Sequence, residues 1–237
     1  MWLKNRSLQK LGGGRSERLG LWLWSTVQMW GLMARKDPQA VQLLRDIRKE
    51  DRSLLSTWEQ YMIYSLARAA AKREGVLAEV GVYRGASAKL MCEVKGDRTL
   101  YLFDTFEGLP EATAEDRSVH RVGQYAYSIE NVQAYLSGYS DVHYFKGIFP
   151  DSAKDVPEQK YSFAHFDVDL YEGTKACLEY FYPRMLPGGV MASHDYGLLA
   201  GVEQAFDEFF ADKPESVIEL PSTQCMVVKL PTCASAA

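Results

Sequence analysis

Residues 76–87, Val-Leu-Ala-Glu-Val-Gly-Val-Tyr-Arg-Gly-Ala-Ser, restrict the possible fold more than any other stretch. The first half is an apolar run that suits a buried parallel strand. Gly81 and Gly85 then break it, and Ala88-Lys89-Leu90-Met91 reads as helix. A strand that passes through glycines into a helix brings backbone N–H groups up to a ligand, as open α/β sheets do. The spacing is informative. A dinucleotide site uses Gly-x-Gly-x-x-Gly. Here the order is Glu79-x-Gly81-x-x-x-Gly85, with an acid where that motif has a small residue. A strand-end carboxylate suits a cationic ligand better than it suits a pyrophosphate. The plain alternative is a tight turn with a solvated Glu79.

The chain has 237 residues, enough for one large domain carrying an arm. Its net charge of −4 argues against a nucleic-acid binder, which needs a basic surplus. Cys92, Cys177, Cys225 and Cys233 form no CxxC pair, so buried free thiols in a reducing, cytoplasmic compartment are expected. Residues 1–18 are basic, Gly12-Gly13-Gly14 is a break, and residues 19–34 carry no charge but include Trp22, Trp24 and Trp30 up to Met33 and Ala34. That apolar run is short of the ~18–20 residues of a spanning helix. It also lacks the Lys and Arg of an interfacial one. We expect a helical arm over residues 1–52 that packs on its own domain or on a partner subunit, making a homo-oligomer without a membrane role.

Downstream, Pro38 opens a polar helix over residues 38–50. Thr57 and Gln60 suit a capping box for the next helix, which Gly75 ends. Residues 99–104 form a second strand ending on Asp104, followed by Thr105 and Phe106. An acid in that place, after the glycine turn, is where a ribose diol is held. Residues 111–127 are a long polar loop, with Arg117, His120, Arg121, Gln124, Tyr125 and Tyr127, suited to a substrate lid. Ser128 caps a short helix, and residues 142–147 are a third strand.

A fourth strand, residues 161–167, runs into Asp167-Val-Asp169-Leu-Tyr171-Glu-Gly-Thr174. The following helix carries the stripe Thr174, Cys177, Leu178, Phe181 and Met185, and Pro187-Gly188-Gly189 stops it. Residues 190–197 give a fifth strand ending on His194-Asp195. Parallel neighbours would gather Asp167, Asp169 and Asp195 at one edge, where a cation must offset their repulsion. Hard oxygen ligands suit Mg²⁺. Asp-x-Asp also marks haloacid-dehalogenase-type phosphatases, but Tyr171 and the glycine turn do not fit that scheme. A helix stripe on Val202, Ala205, Phe206, Phe209 and Phe210 and a strand pair at residues 216–220 and 224–229, turning at 221–223, complete the chain.

Glu79-Val-Gly-Val-Tyr83-Arg84-Gly85, Asp104-Thr-Phe-Glu-Gly-Leu-Pro110, Asp167-Val-Asp-Leu-Tyr-Glu-Gly-Thr174, Tyr182-Pro-Arg-Met-Leu-Pro-Gly-Gly189 and His194-Asp-Tyr-Gly197 together resemble the macrocin O-methyltransferase (TylF/MycF/NovP-like) family over roughly residues 53–230. The resemblance implies an α/β class I methyltransferase fold: a Rossmann-like sheet, mostly parallel with a final antiparallel hairpin, helices on both faces. The domain would span 53–237. It implies S-adenosylmethionine (SAM) as cofactor, held by Glu79, Gly81, Tyr83, Arg84, Gly85, Ser87, Asp104, Thr105, Phe106 and Asp167. It implies O-methylation of a sugar hydroxyl on a small glycoside, with Mg²⁺ at Asp167, Asp195 and the position of His194, which the family fills with an acid. Asp169 or His194 would act on the acceptor proton. The contrasting expectation is a catalytically altered relative that works as an adaptor through its Trp-rich arm.

Overall fold

The computed structural model describes residues 15–116 and 120–231. Arg117, Cys233 and the Gly12-Gly13-Gly14 break lie outside them. Seven strands form one sheet in the order β3-β2-β1-β4-β5-β7-β6. They are β1 (Val76–Val80), β2 (Leu100–Asp104), β3 (Val142–Lys146), β4 (Tyr161–Phe166), β5 (Met185–Ser193), β6 (Ile218–Glu219) and β7 (Cys225–Val228). β1 to β5 pair in parallel, and β7 runs antiparallel to both β5 and β6. The fold is the α/β sheet with the antiparallel ending read from the sequence.

The chain builds outward from β1 through β2 to β3, then returns to the other side of β1 for β4. This reversal is the topological switch point, where open sheets of this type bind ligands. The register keeps the carboxyl ends level. Val80 lies opposite Phe103 on one side and Phe166 on the other, and Phe166 lies opposite Ser193. Three bonds extend the ladder past the strands: Gly81 N to Phe103 O, Asp167 N to Val80 O, and His194 N to Phe166 O. Gly81, Asp104, Asp167 and His194 therefore meet at one edge.

Alternation along β1 supplies both core layers. Val76, Ala78 and Val80 face a layer with Phe166, Phe181 and Phe206, while Leu77 faces Ile63, Ala67, Met91 and Val132. Each buried Val, Leu, Ile, Phe or Met among them contributes about 1.5–3 kcal/mol. The first layer is covered by helices Tyr171–Phe181 and Ala200–Phe210, the second by Thr57–Ala70, Ala86–Cys92 and Ile129–Tyr135. Cys92, Cys177 and Cys225 are buried free thiols, as expected.

Two local expectations need correction. The capping box is formed by Ser56 and Glu59, one residue earlier than Thr57 and Gln60. Ser56 has the extended backbone a cap requires (ψ 162°), whereas Thr57 is already helical and donates its hydroxyl to Ser25 O. Pro187-Gly188-Gly189 does not stop a helix. That helix ends at Phe181, a short 3₁₀ turn follows at Tyr182–Arg184, and Met185 begins β5. The register shifts between Tyr161/Phe163 on the facing strand, so the Pro-Gly-Gly segment occupies an irregularity in β5. Proline is tolerated at such places because no ladder donor is lost.

Among the described residues, the arm is two helices, Arg15–Met33 and Pro38–Lys49. Met29 and Leu32 pack with Ala40, Val41, Leu44 and Ile47 against Tyr64, Ala86 and Leu90. Trp58 N donates to Gln28 Oε1 at 3.2 Å, and Arg48 Nη2 to Trp22 O at 2.8 Å. The arm thus lies on its own domain, while Trp22, Trp24 and Trp30 stay exposed.

Gly81 is the tightest point of the sheet edge. Its φ is +87°, and a Cβ there would sit 1.8 Å from the Asp167 carbonyl oxygen. Gly81→Ala is expected to lower the unfolding free energy by about 3 kcal/mol or more, measured by urea denaturation. A change within error would show that β1 and β4 do not close on each other this tightly.

Candidate functional site

The level strand ends open into a cleft of about 1940 Å³, beyond the ~300–1,000 Å³ of an ordinary ligand pocket. It is roomy enough for two ligands side by side. Its floor comes from Gly81, Asp104, Asp167 and His194, and its walls from Thr105, residues 108–111 and 120–125, and residues 197–199.

Asp104 organises one half. Its Oδ2 accepts from Val82 N (2.6 Å) and Tyr83 N (2.9 Å), and its Oδ1 accepts from Phe106 N (2.6 Å). Tyr83 and Phe106 hold positive φ values of 48° and 54°, so one carboxylate steadies two strained turns. A carboxylate has about four acceptor sites, leaving capacity for a ligand hydroxyl. Thr105 lines the cleft and donates to Gly108 O; Phe106 is buried and does not line it.

Among the other residues expected at the cofactor, Gly81, Tyr83 and Ser87 line the cleft. Gly85 and Arg84 do not. Gly85 makes the left-handed turn (φ 82°) into the following helix. Arg84 points away, donating to Asp51 O at 2.7 Å and lying over the Tyr83 and Tyr127 rings. Glu79 is fully buried behind the wall, with Oε1 2.9 Å from His165 Nδ1. Burial pushes its carboxyl up, and His165 offsets only part of this. Its Oε2 makes no well-formed hydrogen bond, and Ser87 is a further side chain that draws the carboxyl down. An orphaned buried carboxylate oxygen at this edge fits a cationic ligand.

The other half is a charge cluster. His194 Nδ1 lies 2.8 Å from Asp195 Oδ1 and 3.6 Å from Asp167 Oδ1. On the ring's far side, Nε2 lies 3.2 Å from Thr223 Oγ1 and 3.6 Å from Glu59 Oε1. Asp169 and Asp195 both have positive φ, 61° and 63°, which turns their carboxyls into the same space. Burial is the first cause acting on each acid. It pushes Asp167 up to about 6, against the pull of His194. It raises Asp169 well above the carboxylate range, reinforced by Asp195 and Asp167. At Asp195 and Glu59 the His194 interactions outweigh burial and hold the carboxyls low. Burial alone would depress His194, but Asp195 and Asp167 raise it well above its usual value. Ligand atoms of Asp167, His194 and Asp195 lie within 4.8 Å of one another, close to the ~4.2 Å that separates opposite ligands around a small divalent ion. The donor set fits a divalent cation.

The sequence reading missed three contributors. Glu59 has no role in the sequence reading; in the structure one oxygen caps the helix at Ser56 N and the other faces His194. Thr223 sits in what reads as a plain turn. Asp116 anchors the lid: Oδ2 accepts from Thr113 N (2.7 Å) and Oδ1 from Tyr171 N (2.5 Å). Lid residues His120, Arg121, Gln124 and Tyr125 do line the cleft, as expected.

The macrocin-O-methyltransferase (TylF) family model matches residues 65–221. A 4'-O-methyltransferase of 8-demethyl-8-(2,3-dimethoxy-alpha-L-rhamnosyl)-tetracenomycin-C from Streptomyces olivaceus is 34% identical over 140 residues, covering 52% of this chain and 54% of that protein. Demethyldecarbamoylnovobiocin O-methyltransferase from Streptomyces niveus is 31% identical over 153 residues, 58% of each. The chain therefore spans little more than half the length of these relatives. The solved O-methyltransferase NovP superposes with a TM-score of 0.69 at 26% identity, covering 76% of this chain and 83% of that one. Among more distant folds, a calicheamicin methyltransferase superposes at 0.64 with 20% identity, covering 86% and 91%.

The charge cluster makes a pH prediction for the metal-free protein. His194 is raised above its unfolded value of ~6.5. Its stabilisation is complete below that pH and is lost as pH rises through the folded value. His194→Gln is expected to flatten the decline in urea stability above pH ~6.5, and Glu59→Gln to move the His194 imidazole NMR titration downward. An imidazole titrating near ~6.5 in the parent protein would contradict the flanking charges.

Proposed function

Because this chain belongs to the macrocin-O-methyltransferase (TylF) family, we propose that it transfers the methyl group of SAM to a hydroxyl on the sugar of a glycosylated small molecule. Two of the similar proteins are O-methyltransferases whose names specify a rhamnosyl tetracenomycin and demethyldecarbamoylnovobiocin. The observation that carries the reading is the alignment of Asp104 and the Asp167–His194–Asp195 group across one cleft large enough for cofactor and acceptor.

Asp104 would hold the ribose diol with its free acceptor capacity, beside Thr105, with Phe106 packed beneath. Gly81, Tyr83 and Ser87 would border the methionine end, with Gly85 and Arg84 shaping the turn behind them. Glu79 would answer the ammonium through its unpaired Oε2, and Asp167 faces both halves. When bound, SAM supplies an activated methyl on a sulfonium, and transfer is an in-line displacement in which alignment supplies much of the rate. The methyl–sulfur bond breaks, a methyl–oxygen bond forms, and the hydroxyl loses its proton.

Asp167, Asp195 and His194 would hold a divalent cation such as Mg²⁺, whose charge lowers the pKa of a nearby hydroxyl. We assign the proton to Asp169, whose carboxyl turns toward Asp195 and would be favoured in its ionised form once a cation offsets the neighbouring acids. Arg121, Gln124 and Tyr125 would meet the acceptor from the lid. The three buried thiols suit a cytoplasmic setting. The exposed Trp22, Trp24 and Trp30 suit contact between copies in a homo-oligomer.

The test is methyl incorporation from labelled SAM across a panel of glycosides, alongside calorimetry with S-adenosylhomocysteine. Asp104→Asn is expected to weaken cofactor binding at least about tenfold, since one oxygen cannot serve three N–H donors and a ribose. Asp169→Asn is expected to lower turnover by roughly 10²–10⁴ while leaving that binding intact. Absence of any saturable heat with the parent protein would end the reading.

A further inference from the structure

We infer that the cation site of this chain selects a borderline transition ion, of the Mn²⁺ to Zn²⁺ series, over Mg²⁺, and that Glu59 and Thr223 orient His194 as its ligand. The inference rests on the methyltransferase reading of the cleft.

The hydrogen-bond directions fix the imidazole. Glu59 Oε2 accepts from Ser56 N at 2.8 Å, and Oε1 accepts from Thr223 Oγ1 at 2.8 Å. Thr223 has a single hydroxyl proton, and Glu59 receives it. Its oxygen can therefore only accept from His194 Nε2, 3.2 Å away. Nε2 must carry a hydrogen. Nδ1 then faces Asp195 Oδ1 at 2.8 Å and Asp167 Oδ1 at 3.6 Å. A bare nitrogen lone pair against two carboxylates is repulsive, so something positive belongs between them: a proton or a metal ion.

A metal-bound histidine characteristically donates its other N–H toward a carboxylate or another fixed acceptor, which locks the tautomer and ring. The chain from Nε2 through Thr223 to Glu59 has that form. Glu59 is itself held by a buried helix cap, with its side chain 8% exposed. Imidazole suits Fe²⁺ and Zn²⁺ better than Mg²⁺, which prefers oxygen ligands and keeps its waters; Mn²⁺, at the weak end of the transition series, is the most demanding probe of that preference. The two carboxylates alone would have suited Mg²⁺; the nitrogen shifts the preference.

The test uses full-length protein stripped by chelation and titrated with Mn²⁺, followed by electron paramagnetic resonance. The parent should bind one Mn²⁺ per chain, keep it against a roughly hundredfold excess of Mg²⁺, and show spin-echo modulation from an imidazole nitrogen. His194→Asp should lose that modulation and let Mg²⁺ compete at roughly equal concentration. Glu59→Gln can still accept from Thr223 but carries no charge. It should keep the nitrogen signal and lose about 10–100-fold in Mn²⁺ affinity. S-adenosylhomocysteine calorimetry on each variant reports whether the cleft is intact. Displacement of Mn²⁺ by equimolar Mg²⁺, or binding without nitrogen modulation, would overturn the inference and leave the methyltransferase reading standing. Loss of the calorimetric heat in the parent would overturn that reading instead.

Discussion

The close approach of β1 to β4 at Gly81 sets the geometry on which the site depends. With no side chain at Gly81, the Asp167 carbonyl can occupy space that any Cβ would fill. The two strands then end level, and the bond from Asp167 N to Val80 O continues the ladder one residue past them. Because β2 and β5 are registered on these two, Asp104 and His194 arrive at the same height. The switch in strand order leaves the gap above β1 and β4 without a crossover helix over it. Backbone pairing therefore creates a cleft with a polar, partly open floor above two strands that are buried along their whole length.

That floor concentrates negative charge. Asp167, Asp169, Asp195 and Glu59 surround one imidazole, and burial penalises every ionised acid among them. His194 is the counterweight: it holds Asp195 and Glu59 ionised, while Asp169, further from it, is driven toward its neutral form. Four acids of the same chemical kind thus divide into different protonation states by position alone.

Much of this was readable from the amino-acid order, for a physical reason. A buried parallel strand is an uninterrupted apolar run, so an acid or glycine at its end stands out against it, as at Glu79, Asp104 and Asp167. The family resemblance rested on the same punctuation. What escaped notice depended on the backbone or on distant partners. Ser56 and Thr57 are both competent caps with an acid or amide three residues on, and only the extended backbone of Ser56 decides between them. Met185 suits a helix stripe as well as a strand, so the boundary near Pro187 was drawn in the wrong element. Arg84 stands in the glycine loop yet is drawn outward by the Asp51 carbonyl and two tyrosine rings. Thr223 and Glu59 lie 164 positions apart, and no local pattern announces their bond.

The lid is fastened in a particular way. Leu109 and Gly123 exchange backbone bonds with Gln124 and Leu109 at its base, and Asp116 ties its middle to Tyr171 N. None of these attachments uses the side chains of His120, Arg121 or Tyr125 that face the cleft. The segment behaves as an interchangeable cover on fixed hinges. Those facing residues can be rewritten without loosening the fastening, except that Tyr125 also packs edge-on against Tyr83 in the turn after β1, so a change there reaches the opposite wall.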